Sequence, residues 1–108
     1  MVLNNNPITN SHMEVLPLTL KKRWFELIRV GRKKNEYREV KDYWTKRLVG
    51  KDYTHILFTN GYGKHRPSML VELKRVAKAI HWFEGKPCFN LILGDIIEVK
   101  NLDGGGRE

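Results

Sequence analysis

The chain has one cysteine, Cys88, which excludes an internal disulfide framework and a cysteine-built zinc cluster and fits a reducing cytosol. It has no apolar run near the ~20 residues that a membrane-spanning helix needs. No secretory apolar segment is visible either. A soluble, cytoplasmic protein with no membrane association is expected. No P-loop, nucleophile elbow or metal-ligand spacing occurs, so neither a metal nor a cofactor is expected. Acidic residues are scarce in one place in particular. Between Lys21 and Lys51 twelve Lys and Arg stand against four Asp and Glu, and this segment carries the whole net charge of +8. A basic field confined to one segment is the footprint of a polyanion site, nucleic acid first. A merely solubilising surface is the plainer alternative.

With 108 residues, 41% of them apolar, the chain has material for one domain around one modest core. A monomer is expected. Residues 1–13 are polar, asparagine-rich and without periodicity. They read as a disordered leader or a cloning remnant, with Ser11-His12-Met13 resembling a junction ahead of a second start. The folded domain is expected over 14–102, with a flexible glycine-rich tail over 103–108.

Within the domain, Glu14 to Leu18 reads as a short strand. Thr19 then caps a helix whose apolar stripe is Leu20, Trp24, Leu27 and Ile28. Lys21, Lys22 and Arg23 fall in its first turn, where the macrodipole disfavours cations, and a phosphate bound there would compensate. Gly31 ends this helix in a left-handed corner. The run Asn35 to Val40 suits a strand, which puts Lys34, Glu36 and Arg38 on one face; Lys33 joins them only if it lies in the corner itself.

A second helix over Val40 to Val49 presents Val40, Trp44 and Leu48, with Gly50 past its end. Thr54 to Thr59 is a buried strand, 60–64 a turn with two glycines, and Ser68 to Ala77 a longer strand. Residues 81–87 form a loop. Cys88 to Leu93 and Ile96 to Lys100 are two further strands, joined by a tight hairpin at Gly94-Asp95. The expected class is α+β: a small, mostly antiparallel β-barrel of about six strands with two helices packed at its side.

The spacing Gly31-x-Lys33-x-x-Glu36-x-Arg38, preceded by LPLTLKKRWFELIRVG and followed by FTNGYGKHRPSMLVELKRV, resembles the ASCH family of the PUA-like superfamily over about residues 14 to 101. The resemblance implies a cleft between barrel and helices lined by this motif and a role in RNA-linked processes. Some members of the family look like hydrolases of acetylated cytidine or like ribonucleases, and for most the activity is unassigned. Their motif lysine corresponds to Lys33. The position matching Glu36 is threonine in the amidohydrolase-like members, and their extra acidic insertion has no counterpart here.

As a binding site, Lys33 and Arg38 neutralise phosphate, Arg38 through parallel N–H bonds, and Glu36 accepts from a base amino group. Asn60, Tyr62 and Lys64 form the opposite wall, with Tyr62 stacking on a base, and Lys21 and Lys22 extend the basic surface. The bland alternatives are ordinary turn chemistry for Asn60 and Lys64 and a rim-covering aromatic for Tyr62. As a catalytic site, Lys33 deprotonates a water or a ribose 2′-OH beside Glu36 while Arg38 stabilises the anion. Tyr37, Trp24 and Trp44 are assigned to the core. His55 is a hydrogen-bonded packing residue, His65 a solvated loop residue, Cys88 a buried inert thiol, and His81 with Trp82 a cover over the barrel end. The leading reading is an RNA- or nucleotide-binding domain. The alternatives are a metal-free hydrolase of RNA or a modified pyrimidine nucleoside, and a protein-interaction module in a transcription or translation assembly.

Overall fold

The computed structural model describes residues 13–80 and 85–104. The leader before Met13, His81 and Trp82, and the last four residues lie outside that range. Strand β1 (Val15–Leu20) alternates strictly, with Leu16, Leu18 and Leu20 inward and Val15, Pro17 and Thr19 outward. That alternation decides where helix α1 (Lys22–Arg29) begins. Leu20 completes the inward set and pairs with Asn60, so the ladder continues through Thr19, whose hydroxyl lies 3.4 Å from that of Thr59. Lys21 occupies the N-cap position with no side-chain cap. Thr19 is therefore a strand residue rather than the expected cap, because a cap is worth only ~1 kcal/mol and burying Leu20 contributes more.

The helix turns Phe25 and Ile28 into the core and leaves Trp24 38% exposed, which corrects the expected stripe. Gly31 then adopts φ +82 as anticipated. The Leu27 carbonyl accepts from both Arg32 N (2.9 Å) and Lys33 N (3.1 Å), which fixes the backbone of the corner. Next come β2 (Asn35–Glu39), α2 (Asp42–Leu48), β3 (His55–Asn60), β4 (Ser68–Ile80) and β5 (Pro87–Lys100), followed by one 3₁₀ turn (Leu102–Gly104). Val40 and Trp44 pack on the core as expected, and Leu48 is buried in it.

The five strands form one sheet in the order β1-β3-β4-β5-β2, parallel only between β1 and β3. It is a curled half-barrel with β1 and β2 at its edges, five strands rather than about six. Both helices contribute to one core with Leu16, Leu18, Ile56, Phe58, Met69 and Leu91. Pro17 is tolerated because β1 is an edge.

Among the described residues the expected sixth strand does not appear, because no hairpin forms at Gly94-Asp95. Instead β5 runs straight through, and register shifts against β4 between Leu70 and Arg75 absorb the irregularity. The Glu72 carboxylate accepts the Asp95 N–H at 3.0 Å, replacing a ladder partner. Gly94 is there for space: a Cβ would sit 2.7 Å from Glu72 Oε1 and 3.1 Å from Glu72 Cβ. Gly94→Ala is expected to push the carboxylate off Asp95 and destabilise the protein by ~1 kcal/mol. The check is thermal unfolding together with hydrogen exchange at Asp95, whose amide should exchange faster than in the parent.

Candidate functional site

The corner at Gly31 and strand β2 bring three charged side chains together. Glu36 pairs with Leu91 across the β2–β5 ladder and so projects to the core side of the sheet, where it is only 6% exposed. A carboxylate buried that far needs partners. Lys33 Nζ donates to Glu36 Oε1 at 2.8 Å and also to the Asn35 carbonyl. Arg38 Nη1 donates to Glu36 Oε2, and to the Tyr37 carbonyl at 3.1 Å. The side chains of Lys33 and Arg38 are 18% and 17% exposed, so each cation is mostly enclosed but still reachable.

Lys34 points away into solvent, and its carbonyl accepts Leu93 N at 3.0 Å. The lysine in the cluster is therefore Lys33, held there by the corner. A side-chain bond from Asn35 Nδ2 to Asn90 Oδ1 at 2.9 Å ties the start of β2 to β5.

Aromatic rings interleave with these cations. Lys33 Nζ lies 5.8 Å from the ring centroids of both Trp24 and Tyr37. Arg38 Cζ is 5.1 Å from Trp44, and Arg47 Cζ is 5.7 Å from Trp44 and 5.3 Å from Tyr43. Arg23 covers the other indole, with Cζ 4.7 Å from Trp24. All are within the range of cation–π attraction. Tyr37 is half-buried outside the core cluster, beside Lys33, and is not the core residue expected.

This array is not apparent in the sequence, where both tryptophans read as core residues and Arg47 as a partner of the helix dipole. A signal was present: Tyr43 and Trp44 stand four and three residues before Arg47, the spacing that makes neighbours on a helix. Arg47 Nε is buried and, among the described residues, has no hydrogen-bond partner.

No family model matches the chain, nor does any curated protein or solved structure.

The other candidate residues are distributed unevenly. Lys21 and Lys22 are exposed at the start of α1. Asn60 is 2% exposed, and its Nδ2 donates to the Leu20 carbonyl at 3.1 Å, which joins the ends of β1 and β3. Tyr62, 80% exposed, and Lys64 stand on the β3–β4 turn. A hollow of about 180 Å³ opens beside Lys33, between Gly31 and the Gly94-Asp95 irregularity; Glu36 and Arg38 do not line it.

His55 is hydrogen-bonded as expected, with Nδ1 2.7 Å from Thr54 Oγ1, and His65 is exposed. Cys88 is buried and unpaired, and burial pushes its thiol up, away from the reactive thiolate. On α1, the hydrogen bond from Arg29 holds the Glu26 carboxyl below its usual range.

Proposed function

We propose that the chain is an ASCH-type domain of the PUA-like superfamily that binds RNA or a nucleotide at Lys33, Glu36 and Arg38. The observation that carries this reading is the shared carboxylate. By engaging both oxygens, Glu36 holds an ammonium and a guanidinium side by side. Arg38 commits Nη1 internally and keeps the Nε and Nη2 donors, the edge that grips a phosphate through parallel N–H bonds. Lys33 adds a further donor.

Trp24, exposed beside Lys33, offers a face for a base, and Tyr62 offers another on the β3–β4 turn. Lys21, Lys22 and Lys64 are exposed and add positive charge to the surface. Glu36 is first a positioning residue, and its remaining lone pairs suit a base amino group such as the cytosine N4. Binding is favoured over turnover because Lys33 Nζ is tied to two internal acceptors, Glu36 Oε1 and the Asn35 carbonyl, which suits a residue that positions charge for a ligand.

The test is fluorescence anisotropy with a short single-stranded RNA between 50 and 200 mM salt, repeated with Lys33→Ala and Arg38→Ala after circular dichroism has shown both to be folded. Each variant should bind about tenfold or more weakly, as expected for loss of a charged hydrogen bond. The salt slope should fall by about 0.7 for each phosphate that is no longer neutralised. Salt-independent binding, or unchanged affinity in both variants, overturns the proposal.

A further inference from the structure

A second basic surface lies outside the motif, and three of its four cations lie outside the basic segment. The end of α2 and the loop after it face the middle of β4 across a groove of about 630 Å³. Lys51, Lys74, Arg75 and Lys78 line it against a single acid, Asp52. All four cations are exposed, and among the described residues none of them enters an ion pair. The groove floor is apolar, built from Leu48, Leu73 and Phe89. Uncompensated cations above an apolar floor fit a ligand that is anionic along its length and carries flat apolar groups, which is the chemistry of a single-stranded nucleic acid.

The register connects this groove to the motif. Arg38 pairs with Phe89 on β5, and Phe89 pairs with Lys78 on β4. Directly opposed residues project to the same side of a sheet, so Arg38, Phe89 and Lys78 form one row on the face that carries the helices. Strands lie about 4.8 Å apart, which puts the Cα atoms of Arg38 and Lys78 about 10 Å from each other. Two long cationic side chains at that separation can reach different phosphates of one strand.

We infer that the groove between α2 and β4 binds the flanking sugar-phosphate backbone of a single-stranded RNA whose first nucleotide is held at Lys33 and Arg38. The ligand is then an oligonucleotide rather than a mononucleotide. This inference rests on the nucleotide-binding reading for the chemistry of the ligand, but it makes separate claims about residues that the motif does not contain.

The experiment measures anisotropy of fluorescein-labelled oligouridylates of two, four and eight nucleotides, with cytidine monophosphate as competitor. The proteins compared are the parent, Lys74→Ala/Lys78→Ala and Arg38→Ala. The parent should gain at least tenfold in affinity from two to eight nucleotides. Lys74→Ala/Lys78→Ala should lose that gain and about 1.4 in salt slope, while its binding of the dinucleotide and of the monophosphate stays unchanged. Affinity that does not depend on length in the parent, or a length gain that survives in Lys74→Ala/Lys78→Ala, overturns the inference. So does competition by polyglutamate as effective as that by the octanucleotide, which would make the groove an acidic-peptide site. If Arg38→Ala binds the dinucleotide normally while Lys74→Ala/Lys78→Ala still loses the length gain, the motif reading fails and the groove stands.

Discussion

Glu36→Ala is expected to lower folding stability by about 3 kcal/mol and the melting temperature by roughly 12–20 °C. The reason is the asymmetry of a buried charge cluster. Glu36 satisfies Lys33 and Arg38 together, and both cations are more than four-fifths enclosed. Without the carboxylate, two positive charges are left facing each other in a site with restricted access to water. Glu36→Gln should cost less, about 2 kcal/mol, because its amide oxygen still accepts one hydrogen bond while the charge is lost.

The companion variant separates stability from binding. Lys33→Met/Glu36→Leu/Arg38→Met removes every charge in the cluster, and an apolar replacement of a buried ion network is often neutral or stabilising. It should fold within about 1 kcal/mol of the parent and lose its RNA affinity. Urea titration of the three variants is the measurement. A cost below about 0.5 kcal/mol for Glu36→Ala would identify the pairs as solvated surface ion pairs of the weak kind.

Phe58→Ala should have the larger effect, about 4 kcal/mol, because its site cannot collapse. Phe58 is fully buried in β3, with Leu18 beside it on β1 and Met69 on β4. Three paired strands hold the backbone around it, so a cavity remains when the ring is removed. For a domain whose total stability is ~5–15 kcal/mol, such a loss brings the midpoint of unfolding close to ambient conditions. Phe58→Leu retains most of the volume and should cost about 1.5 kcal/mol or less. Equal urea midpoints for the two variants would show that the strands close over the gap.

Most elements were legible because their signals are local. The alternation through Leu16 and Leu18, the left-handed corner at Gly31, the stripe of Val40, Trp44 and Leu48, and the apolar run into Phe58 each depend on a few neighbouring residues. Where local signals competed, tertiary packing chose. Thr19 reads as a helix cap, and pairing with β3 made it a strand residue instead. Gly94-Asp95 is a good hairpin signal, yet a β4 strand of thirteen residues gives β5 a partner along its whole length, with Glu72 relieving the break.

Trp24 and Trp44 follow the same logic at the site. Trp24 follows Arg23 directly and Trp44 stands two residues from both Asp42 and Lys46; such placements are ambiguous in one dimension, and only the fold shows which cation lies over each ring. The groove along β4 was invisible for a different reason. Lys74, Arg75 and Lys78 belong to the part of the chain outside Lys21–Lys51, which is neutral overall, while folding places them opposite Lys51, twenty or more residues earlier.

Sequence alone determined an α+β fold with two short helices, a basic segment from Lys21 to Lys51, and Lys33, Glu36 and Arg38 as residues with charge to place. Helix corners and strand periods follow from nearest neighbours, so they are written in the order of residues. The tertiary structure decided that Lys33 rather than Lys34 reaches Glu36, that five strands form an open half-barrel, and that aromatic rings and a second set of cations stand around the cluster. Those outcomes depend on strand register and on which helix face meets the sheet, and both are set by burial summed over the whole chain.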